Sequence, residues 1–284
     1  MPKIGRYTVH AIETGSLGLD GGAMFGVIPK PLWERRIPAD ERNRISLHMR
    51  CLLLEDGDRL ILVDNGLGHK YTDKFRDLYR VDHANATLAK GLAALDYVAD
   101  DITDVILTHL HFDHAGGSTE YVGDKLEVAF RNATFYVQGQ QWASALNPNP
   151  RERPSFIPEN LEPLQASGQL QLVDGSVELF PGIEVETAFG HTEALQVVKV
   201  IGAESTLAYV SDLLPTSHHL APAWTMAYDV RPLTTMSEKA DFLQRALDEA
   251  WVLCFEHDPV VEICSLKASD RGPVCSEPRK LSDL

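Results

Sequence analysis

The sequence predicts a fold that mixes α-helices with β-strands, and three observations support this prediction. Short apolar runs recur along the chain with the continuous or alternating hydrophobicity that is typical of strands. Two intervening segments instead repeat their apolar residues at helical spacing. The chain has 284 residues, 44% of them hydrophobic, which is enough to bury a sizeable core. We therefore expect one domain that spans residues 1–284.

Eleven apolar runs are predicted as strands because each is short and is bounded by polar or turn-forming residues. They span residues 8–12, 48–54, 60–63, 105–107, 134–137, 169–173, 183–187, 196–201, 206–210, 251–255 and 260–263. The run at 105–107 is continuously apolar, which favours a strand that is buried on both faces. The polar tail of residues 267–284 contains Pro273 and Pro278, and we expect it to pack loosely.

Two segments are predicted as helices. In residues 87–97, Leu88, Leu92 and Leu95 fall on one helical face. In residues 235–250 a longer apolar stripe is formed by Met236, Ala240, Leu243, Leu247 and Ala250. Thr235 followed by Glu238 matches a capping box, so we expect the second helix to begin there.

A cluster of potential metal ligands follows the predicted strand at 105–107. His109, His111, Asp113 and His114 place three imidazoles and one carboxylate within six residues. Imidazole and carboxylate are the ligands that divalent ions such as Zn²⁺ prefer. Side chains at alternate positions of an extended segment share a face, so His109 and His111 can converge on one ion. If a helix then begins, Asp113 and His114 point away from that pair and can serve a second ion.

Four further polar residues occupy turns at or near the ends of predicted strands. Asp64 ends the strand at 60–63, and Asp212 follows the strand at 206–210. His191 lies in a Gly-His-Thr turn, and His257 follows the apolar run at 251–255. Each of these residues taken alone is more simply a surface, core or turn residue. Together with the histidine cluster they indicate one metal site assembled from several loops.

The spacing H-x-H-x-D-H is the signature of the metallo-β-lactamase superfamily, and the chain resembles its members along most of its length. Asp-x-Gly after a strand, the signature itself, the Gly-His-Thr turn, the Asp after a strand and the last His occur in the expected order. The resemblance implies an α+β fold, a four-layer αβ/βα sandwich in which two sheets face each other between outer helices. Ligand-bearing loops would meet at one edge of the paired sheets.

The resemblance also implies a binuclear metal site. His109, His111 and His191 would bind the first ion, and Asp113, His114 and His257 the second, with Asp212 bridging the two. Zinc is the expected metal, although histidine and carboxylate also suit iron, manganese and cobalt. Metal-binding histidines usually donate their second ring N–H to another group. We expect Asp64 to accept such a bond, with Thr108 as the weaker candidate.

A binuclear site of this kind favours hydrolysis. Two divalent ions about 3.5–4 Å apart share a water molecule and lower its pKa to near neutrality. The resemblance therefore implies attack by a metal-bridging hydroxide on an ester-like bond, with Asp113 steering a proton. A lactone resembling an acyl-homoserine lactone is the leading substrate class. Quorum-quenching lactonases commonly carry a Tyr three residues after the bridging Asp, where this chain has Pro215.

Two apolar segments are candidates for the substrate pocket. Residues 21–33 lack regular periodicity and carry Phe25, Ile28 and Trp33, which would form a pocket wall or else pack as core or as a dimer contact. Residues 215–228 follow the bridging Asp directly and must begin near the metals. The candidates for substrate contact there are His219, Trp224 and Tyr228. Tyr228 or His219 would then replace the Tyr that is absent at Pro215.

The formal net charge is −15, which repels polyanions at long range and weighs against nucleic acid as a partner. A small, neutral or weakly charged substrate fits this charge better. The chain contains no run of 18 apolar residues, so we expect no membrane span. The first six residues lack the apolar stretch of a secretory signal, and we expect a cytoplasmic location. A homodimer is compatible with the sequence.

Three alternatives remain open at this point. The same hydroxide and an apolar pocket would serve hydrolysis of organophosphate triesters. A glyoxalase-type thioesterase shares the metal motif, but its C-terminal helical domain is not recognisable here. A degenerate member would bind a ligand or use its metals structurally, although structural zinc sites commonly close four ligands, often thiolates, around one ion.

Overall fold

The computed structural model describes residues 2–270 and 272–284, so Met1 and Arg271 lie outside the description. Two seven-stranded sheets dominate the described chain. The first has the order β1-β2-β3-β4-β5-β8-β9. Its strands are β1 (Lys3–Ile4), β2 (Tyr7–Asp20), β3 (Arg44–Glu55), β4 (Leu60–Val63), β5 (Asp104–Ile106), β8 (Thr134–Gln138) and β9 (Leu170–Val173). A separate hairpin pairs β6 (Thr119–Val122) with β7 (Lys125–Val128).

The second sheet has its strands in sequence order and contains the rest of the strands. They are β10 (Val177–Phe180), β11 (Ile183–Ala188), β12 (Leu195–Ile201), β13 (Thr206–Tyr209), β14 (Val252–Cys254), β15 (Ile263–Lys267) and β16 (Val274–Arg279). The α-helices are α1 (Gly21–Phe25), α2 (Lys30–Trp33), α3 (Asp73–Leu78), α4 (Leu88–Ala93), α5 (Phe112–Ala115), α6 (Gly139–Leu146), α7 (Pro158–Ser167) and α8 (Pro232–Asp248).

The buried apolar residues form layers that match a sandwich. One cluster lies between the two sheets and joins Leu52 of β3 to Tyr209 of β13. A second cluster packs Leu92 of α4 and residues of α6 and α7 against the outer face of the first sheet. A third packs Phe242 of α8 against the second sheet. Helices therefore cover the outer face of each sheet, and the predicted α+β, four-layer αβ/βα sandwich is confirmed.

Parallel strand pairs bring the polar turns to one edge. β4 and β5 are parallel neighbours in the first sheet, and β13 and β14 are parallel neighbours in the second. Because the C-terminal ends of parallel neighbours meet at the same edge of a sheet, the loops after β4 and β5 lie side by side. The loops after β13 and β14 do the same. The inter-sheet core holds these two edges opposite each other.

Several predicted boundaries differ from the structure. The capping box at Thr235 is wrong, because α8 begins at Pro232, and Glu238 instead accepts hydrogen bonds from the backbone N–H groups of Phe189 and Gly190. The predicted helix at 87–97 is shorter, since only Leu88–Ala93 is helical.

The C-terminal region differs as well. The predicted strand at 260–263 begins only at Ile263, because the Asp258 carboxylate accepts hydrogen bonds from the N–H groups of Val260 and Val261 and holds a turn there. The tail was expected to pack loosely, but β16 pairs with β15 in an antiparallel ladder. Among the described residues, no helix combines the length and apolar character that a membrane crossing requires.

Candidate metal centre

Four candidate ligands come from the loop that leaves β5. His109 and His111 lie between β5 and α5, outside any helix or strand, and His111 has an extended backbone directly before α5 begins. Asp113 and His114 are on α5 and therefore project in a different direction from the first two. All four side chains are buried. The two pairs of ligands therefore project in different directions, as expected from the sequence.

Three further candidates reach the same place from the second sheet. His191 lies in the turn between β11 and β12, Asp212 follows β13, and His257 follows β14. All three are buried as well. Every one of the seven predicted metal-binding side chains is therefore brought to one edge of the paired sheets.

The side chains form two groups that share one carboxylate. Ligand atoms of His109, His111, His191 and Asp212 lie within 4.8 Å of one another. Within this group, Asp212 Oδ2 is 3.2 Å from His191 Nε2 and 4.0 Å from His109 Nε2.

The second group contains Asp113, His114 and His257, whose ligand atoms also lie within 4.8 Å of one another. His257 Nε2 is 3.8 Å from Asp113 Oδ2 and 3.2 Å from Asp212 Oδ1. Asp212 therefore presents Oδ1 to His257 and Oδ2 to His191. This is the arrangement expected of a carboxylate that bridges two cations.

Unpaired nitrogen atoms show that these residues fit cations. His109 Nε2 and His111 Nε2 are buried and have no hydrogen-bond partner among the described residues. His114 Nε2 and His257 Nε2 lie 3.1 Å apart, a contact that requires a proton or a cation between the two nitrogens. A buried polar atom without a partner costs about 1–3 kcal/mol. Divalent cations at these positions would satisfy the nitrogens.

The pKa shifts reflect the concentration of charge. Burial lowers the pKa of His109 and His111 well below the usual value, which favours the neutral form that binds metals. Burial opposes protonation of His191 and His257 too, but Asp212 raises their pKa values to about 10 and about 9. Bound divalent cations would supply the positive charge that these protons provide beside Asp212, and would displace the protons.

Asp64 and Thr108 form hydrogen bonds with each other, and Asp64 also contacts the candidate ligand His114. Asp64 Oδ1 accepts the backbone N–H of Thr108 at 2.7 Å, and Oδ2 accepts the Thr108 hydroxyl at 2.7 Å. Asp64 Oδ2 is also 3.1 Å from His114 Nδ1. Asp64 has a φ of 56°, and Ser211, next to Asp212, has a φ of 45°. Such left-handed backbone at non-glycine residues costs on the order of 1–3 kcal/mol, and the surrounding contacts must maintain it.

Two supporting carboxylates were not found from the sequence. Glu256 Oε2 is 2.8 Å from His114 Nδ1 and also accepts the Tyr209 hydroxyl at 2.6 Å. Asp229 Oδ1 is 3.0 Å from His191 Nδ1. Glu256 could have been suspected because it precedes His257 directly. Asp229 has no local signal, because only the fold brings it to His191.

A cavity of about 310 Å³ opens onto the cluster. His111, Asp113, His191, Asp212 and His257 line its polar side. The apolar side is formed by Leu19, Met24, Tyr79, Phe112, Pro154, Met226, Ala227 and Tyr228. The cluster therefore faces a space of the size that accepts small molecules.

Of the six residues proposed for the substrate pocket, Tyr228 lines this cavity. Phe25 and Trp33 are buried beneath it and stack with ring centroids 5.6 Å apart. Trp224 packs edge-on against Phe25, and Ile28 is half-buried beside the same apolar cluster. The apolar segment thus packs as core rather than as exposed wall, because its rings stack on one another.

His219 is held in the same core. It stacks on Phe25 with ring centroids 4.9 Å apart and is 1% exposed. Its Nε2 donates to Met24 O at 2.8 Å, and its Nδ1 is 2.8 Å from the Thr216 hydroxyl. Burial lowers its pKa to about 4, so the ring is neutral. With both nitrogens engaged, His219 has no free group for a substrate.

The fold and the site together define a sandwich of two sheets that carries a cluster of metal-binding side chains at one edge. Residues 50–257 match the family model of the metallo-beta-lactamase superfamily. This match covers well over half of the chain, so the chain belongs to that superfamily. The resemblance inferred from the sequence motifs is confirmed.

Curated relatives match part of the chain. An N-acyl homoserine lactonase of Bacillus thuringiensis is 27% identical over 167 residues, which cover 54% of this chain and 58% of the relative. A probable metallo-hydrolase of Mycobacterium tuberculosis is 30% identical over 124 residues, covering 39% of this chain and 40% of the relative. The matched regions thus span only about half of the relatives' own length.

Solved structures match nearly all of the chain. A probable metal-dependent hydrolase from Staphylococcus aureus has a TM-score of 0.88 and 29% identity, covering 97% of this chain and 99% of the other. AidC, a dizinc quorum-quenching lactonase in complex with a product, has a TM-score of 0.82 and 22% identity, covering 99% and 97%. At that identity the second likeness establishes the shared fold alone.

Proposed function

We propose that the chain is a metal-dependent hydrolase that cleaves an ester-like bond in a small molecule, most specifically a lactone with an apolar acyl chain. The observation that carries this proposal is the position of Asp212, whose two oxygens face separate groups of ligands beside an apolar cavity. A closed structural site would not open onto such a cavity. The relatives named as lactonases support the same substrate class.

We assign the first cation to His109, His111 and His191, and the second to Asp113, His114 and His257, with Asp212 shared. The nitrogen and oxygen donors suit zinc best, and iron, manganese and cobalt are tested as alternatives. When bound, two such cations supply hydroxide at neutral pH and polarise a carbonyl oxygen. The chain's own part is to hold the donors in position and to shape the cavity.

Asp113 and Tyr228 are proposed to move or donate protons. Asp113 lines the cavity and is buried, so its carboxylate can take a proton and pass it to a leaving oxygen. Tyr228 also lines the cavity. Burial raises its pKa, as do the nearby charges of Asp113 and Asp212, so it keeps its hydroxyl proton. It can therefore donate a hydrogen bond to the substrate oxygen. Tyr228 would thus replace the Tyr that lactonases commonly carry at the position of Pro215.

The shape and charge of the molecule favour an uncharged substrate with an acyl chain. The side of the cavity away from the cluster is mainly apolar, and its polar residues are Arg151, Glu152 and Ser155. The Glu152 carboxylate accepts the Thr192 hydroxyl at 2.5 Å. The Arg151 guanidinium is occupied by hydrogen bonds to the backbone carbonyls of Ala227 and Asp229. The net charge of −15 repels anionic substrates at long range. We further propose that residues 1–284 act as one domain, because both sheets share one core.

A substrate panel tests the proposal. Metal-loaded protein would be assayed on acyl-homoserine lactones of increasing chain length, simple lactones, aryl esters, a glutathione thioester and a phosphotriester. We expect the highest kcat/KM for lactones, with KM falling as the acyl chain lengthens. Preference for the phosphotriester or the thioester would overturn the substrate class. Absence of hydrolysis by protein shown to hold two metal equivalents would overturn the enzymatic function itself.

A further inference from the structure

A second cavity lies between α4, the loop after β4 and the β6–β7 hairpin. Its volume is about 410 Å³, larger than that of the cavity at the metal centre. Sites for small molecules typically have volumes of about 300–1,000 Å³ and mostly apolar walls. The apolar wall of this cavity is formed by Leu88, Ala89, Leu92, Ala93, Tyr97, Val98, Ala99, Ala129 and Phe130. The residues proposed for hydrolysis are absent from this wall.

One lysine, Lys70, lines the cavity, and the wall also contains one exposed carboxylate, Glu120, which forms no ion pair with it among the described residues. Its ammonium donates hydrogen bonds to the backbone carbonyls of Gly116 and Thr119. Among residues 2–270 and 272–284, no carboxylate lies within ion-pair distance of it. Burial lowers the pKa of Lys70 to about 7, and the charge of Glu159 opposes this shift only in part. An ammonium has three donors, so one remains for a ligand.

His83 provides a second unsatisfied polar group in the same wall. Its Nδ1 is buried and has no hydrogen-bond partner within the described part of the chain. Its ring packs edge-on against His69, with centroids 4.4 Å apart. Burial lowers the pKa of His83 to about 4, so the ring is neutral at pH 7. A neutral imidazole can donate or accept one hydrogen bond at Nδ1, according to its tautomer.

The entrance of this cavity is largely apolar and open to solvent. Val98 is 61% exposed and Tyr121 is 55% exposed, and both line the cavity. Large exposed apolar side chains around a concave site are typical of binding surfaces. Apart from the exposed Glu120, the entrance is largely apolar, and with the apolar wall and the half-buried ammonium of Lys70 it matches a ligand that has an alkyl chain and an anionic head.

The wall of the second cavity is also the back of the metal centre. Asn65 and Gly117 line the cavity, and Asn65 donates its backbone N–H to His114 O at 2.9 Å. Gly117 donates to Gly66 O at 2.8 Å, which joins the loop after β4 to the segment after α5. These paired backbones separate the two cavities. A ligand in one cavity would therefore not share space with a ligand in the other.

We propose that this second cavity is a binding site for a small amphipathic anion, namely a medium-chain alkyl carboxylate. The carboxylate binds the Lys70 ammonium and the alkyl chain lies along α4 and Phe130. A bound carboxylate would stabilise the protonated ammonium of Lys70, which has no carboxylate within ion-pair distance among the described residues, so the site favours an anion over a cation or a zwitterion. This site does not depend on the proposed hydrolysis, because its residues lie outside the metal cavity.

Calorimetric titration of the metal-loaded protein with octanoate, octan-1-ol and acetate tests the proposal. We expect saturable binding of octanoate and binding of octan-1-ol weaker by about tenfold, or about 1.4 kcal/mol, because the alcohol lacks the charge that pairs with Lys70. Acetate should show no measurable binding, because it lacks the alkyl chain. Lys70→Met should weaken octanoate binding by about tenfold and leave octan-1-ol binding unchanged. Lys70→Arg should restore the preference for octanoate.

Two further variants identify the place of binding. Ala93→Trp, on the exposed side of α4, fills the cavity and should abolish binding of both chains while metal content is retained. Lys74→Met removes an exposed lysine of α3 and should change nothing. Octanoate binding that survives both Lys70→Met and Ala93→Trp would place the ligand elsewhere and overturn the proposal. The proposal would also be overturned if sedimentation showed a dimer that Ala93→Trp dissociates and octanoate does not affect. The cavity would then be a contact between two copies of the chain.

Discussion

The two halves of the molecule supply the metal centre in different ways. The first half contributes four candidate ligands from one stretch of six residues, His109 to His114, in the loop after β5. The second half contributes His191, Asp212 and His257 from three turns that are far apart in the sequence. Local backbone geometry positions the first set, since an extended segment and a short helix are enough. Strand topology positions the second set.

The halves also differ in how they support their histidines. In the first half, His114 Nδ1 faces two carboxylates, Asp64 at 3.1 Å and Glu256 at 2.8 Å. In the second half, His191 Nδ1 faces one carboxylate, Asp229 at 3.0 Å, and His257 Nδ1 faces a backbone carbonyl, that of His48, at 2.7 Å. His114 is therefore supported redundantly, by one carboxylate from each half, whereas each histidine of the second half depends on a single acceptor.

The largest effect is expected for Asp212→Asn, which removes the one charge that the two groups share. Losing a single stabilising group in an active site costs about 10²–10³-fold in rate. Asp212 acts on both cations, so we expect kcat/KM to fall by at least about 10³-fold. The number of metals bound per chain should fall as well. Metal analysis and steady-state kinetics on the same preparation measure both.

His48→Ala is the matched control for that variant. It removes an imidazole but keeps the backbone carbonyl that accepts from His257 Nδ1. Two metals per chain should remain, and the rate should change little. If Asp212→Asn kept both metals and full activity, the shared centre would be wrong, and the two halves would act independently.

The difference between the halves also explains what the sequence could predict. The histidine cluster is visible directly, because its spacing alone places two pairs of ligands on different sides. His191, Asp212 and His257 became identifiable only through their order along the chain relative to a known family. Nothing in their immediate neighbours requires metal binding. The mixed α and β composition was predictable from periodicity, but the pairing of two seven-stranded sheets came from the family resemblance.

Residues that act through tertiary contacts were beyond sequence reasoning. Asp229 is an ordinary turn residue until the fold places it beside His191. Glu238 resembled a capping residue, yet its carboxylate accepts the backbone N–H groups that shape the turn before His191. Phe25 resembled an exposed pocket residue, yet its ring is covered by His219 and Trp33. In each case the partner lies far away in the sequence, and local propensity carries no information about it.

The second-largest effect distinguishes a histidine that is held by two carboxylates, His114, from one that is held by a single carboxylate, His191. Removing an acceptor that orients a metal-binding histidine typically costs about 10–100-fold in metal affinity or activity. We expect Asp229→Asn to reach the upper part of this range, because His191 has no second acceptor on Nδ1. Glu256→Gln should cost less, because Asp64 still faces His114. Competition with a chelator gives the metal affinity of each variant. Equal losses in the two variants would mean that the redundancy at His114 has no energetic value.

A smaller effect is expected at the cavity wall, where each half contributes one tyrosine. Tyr228→Phe should lower kcat by about tenfold with little change in KM, because the hydroxyl near the charges of Asp113 and Asp212 is the group that we propose as donor to the reacting oxygen. Tyr79→Phe is the matched variant from the first half, and Asp113 alone acts on that hydroxyl. It should behave as wild type. If kcat fell more in Tyr79→Phe than in Tyr228→Phe, Tyr79 and not Tyr228 would be the proton donor.

The last effect concerns the stability of the protein rather than its rate, and is a pH dependence that arises from the second half. His191 and His257 have pKa values of about 10 and about 9, raised by Asp212 despite burial, whereas His109 and His111 are neutral at pH 7. Raised imidazole pKa values stabilise the metal-free fold below about pH 6.5, and this contribution is lost as the pH rises through about 9–10.

Metal binding displaces at least these two protons, and each released proton makes binding more favourable by about 1.4 kcal/mol per pH unit. Two protons over two pH units correspond to about 5–6 kcal/mol, so the increase in Tm on adding zinc should grow between pH 6 and pH 8 by about ten degrees or more. Scanning calorimetry of metal-free and zinc-loaded protein at matched ionic strength measures this increase. A constant increase across that range would show that His191 and His257 are already deprotonated in the metal-free chain, and that the two halves do not differ in charge.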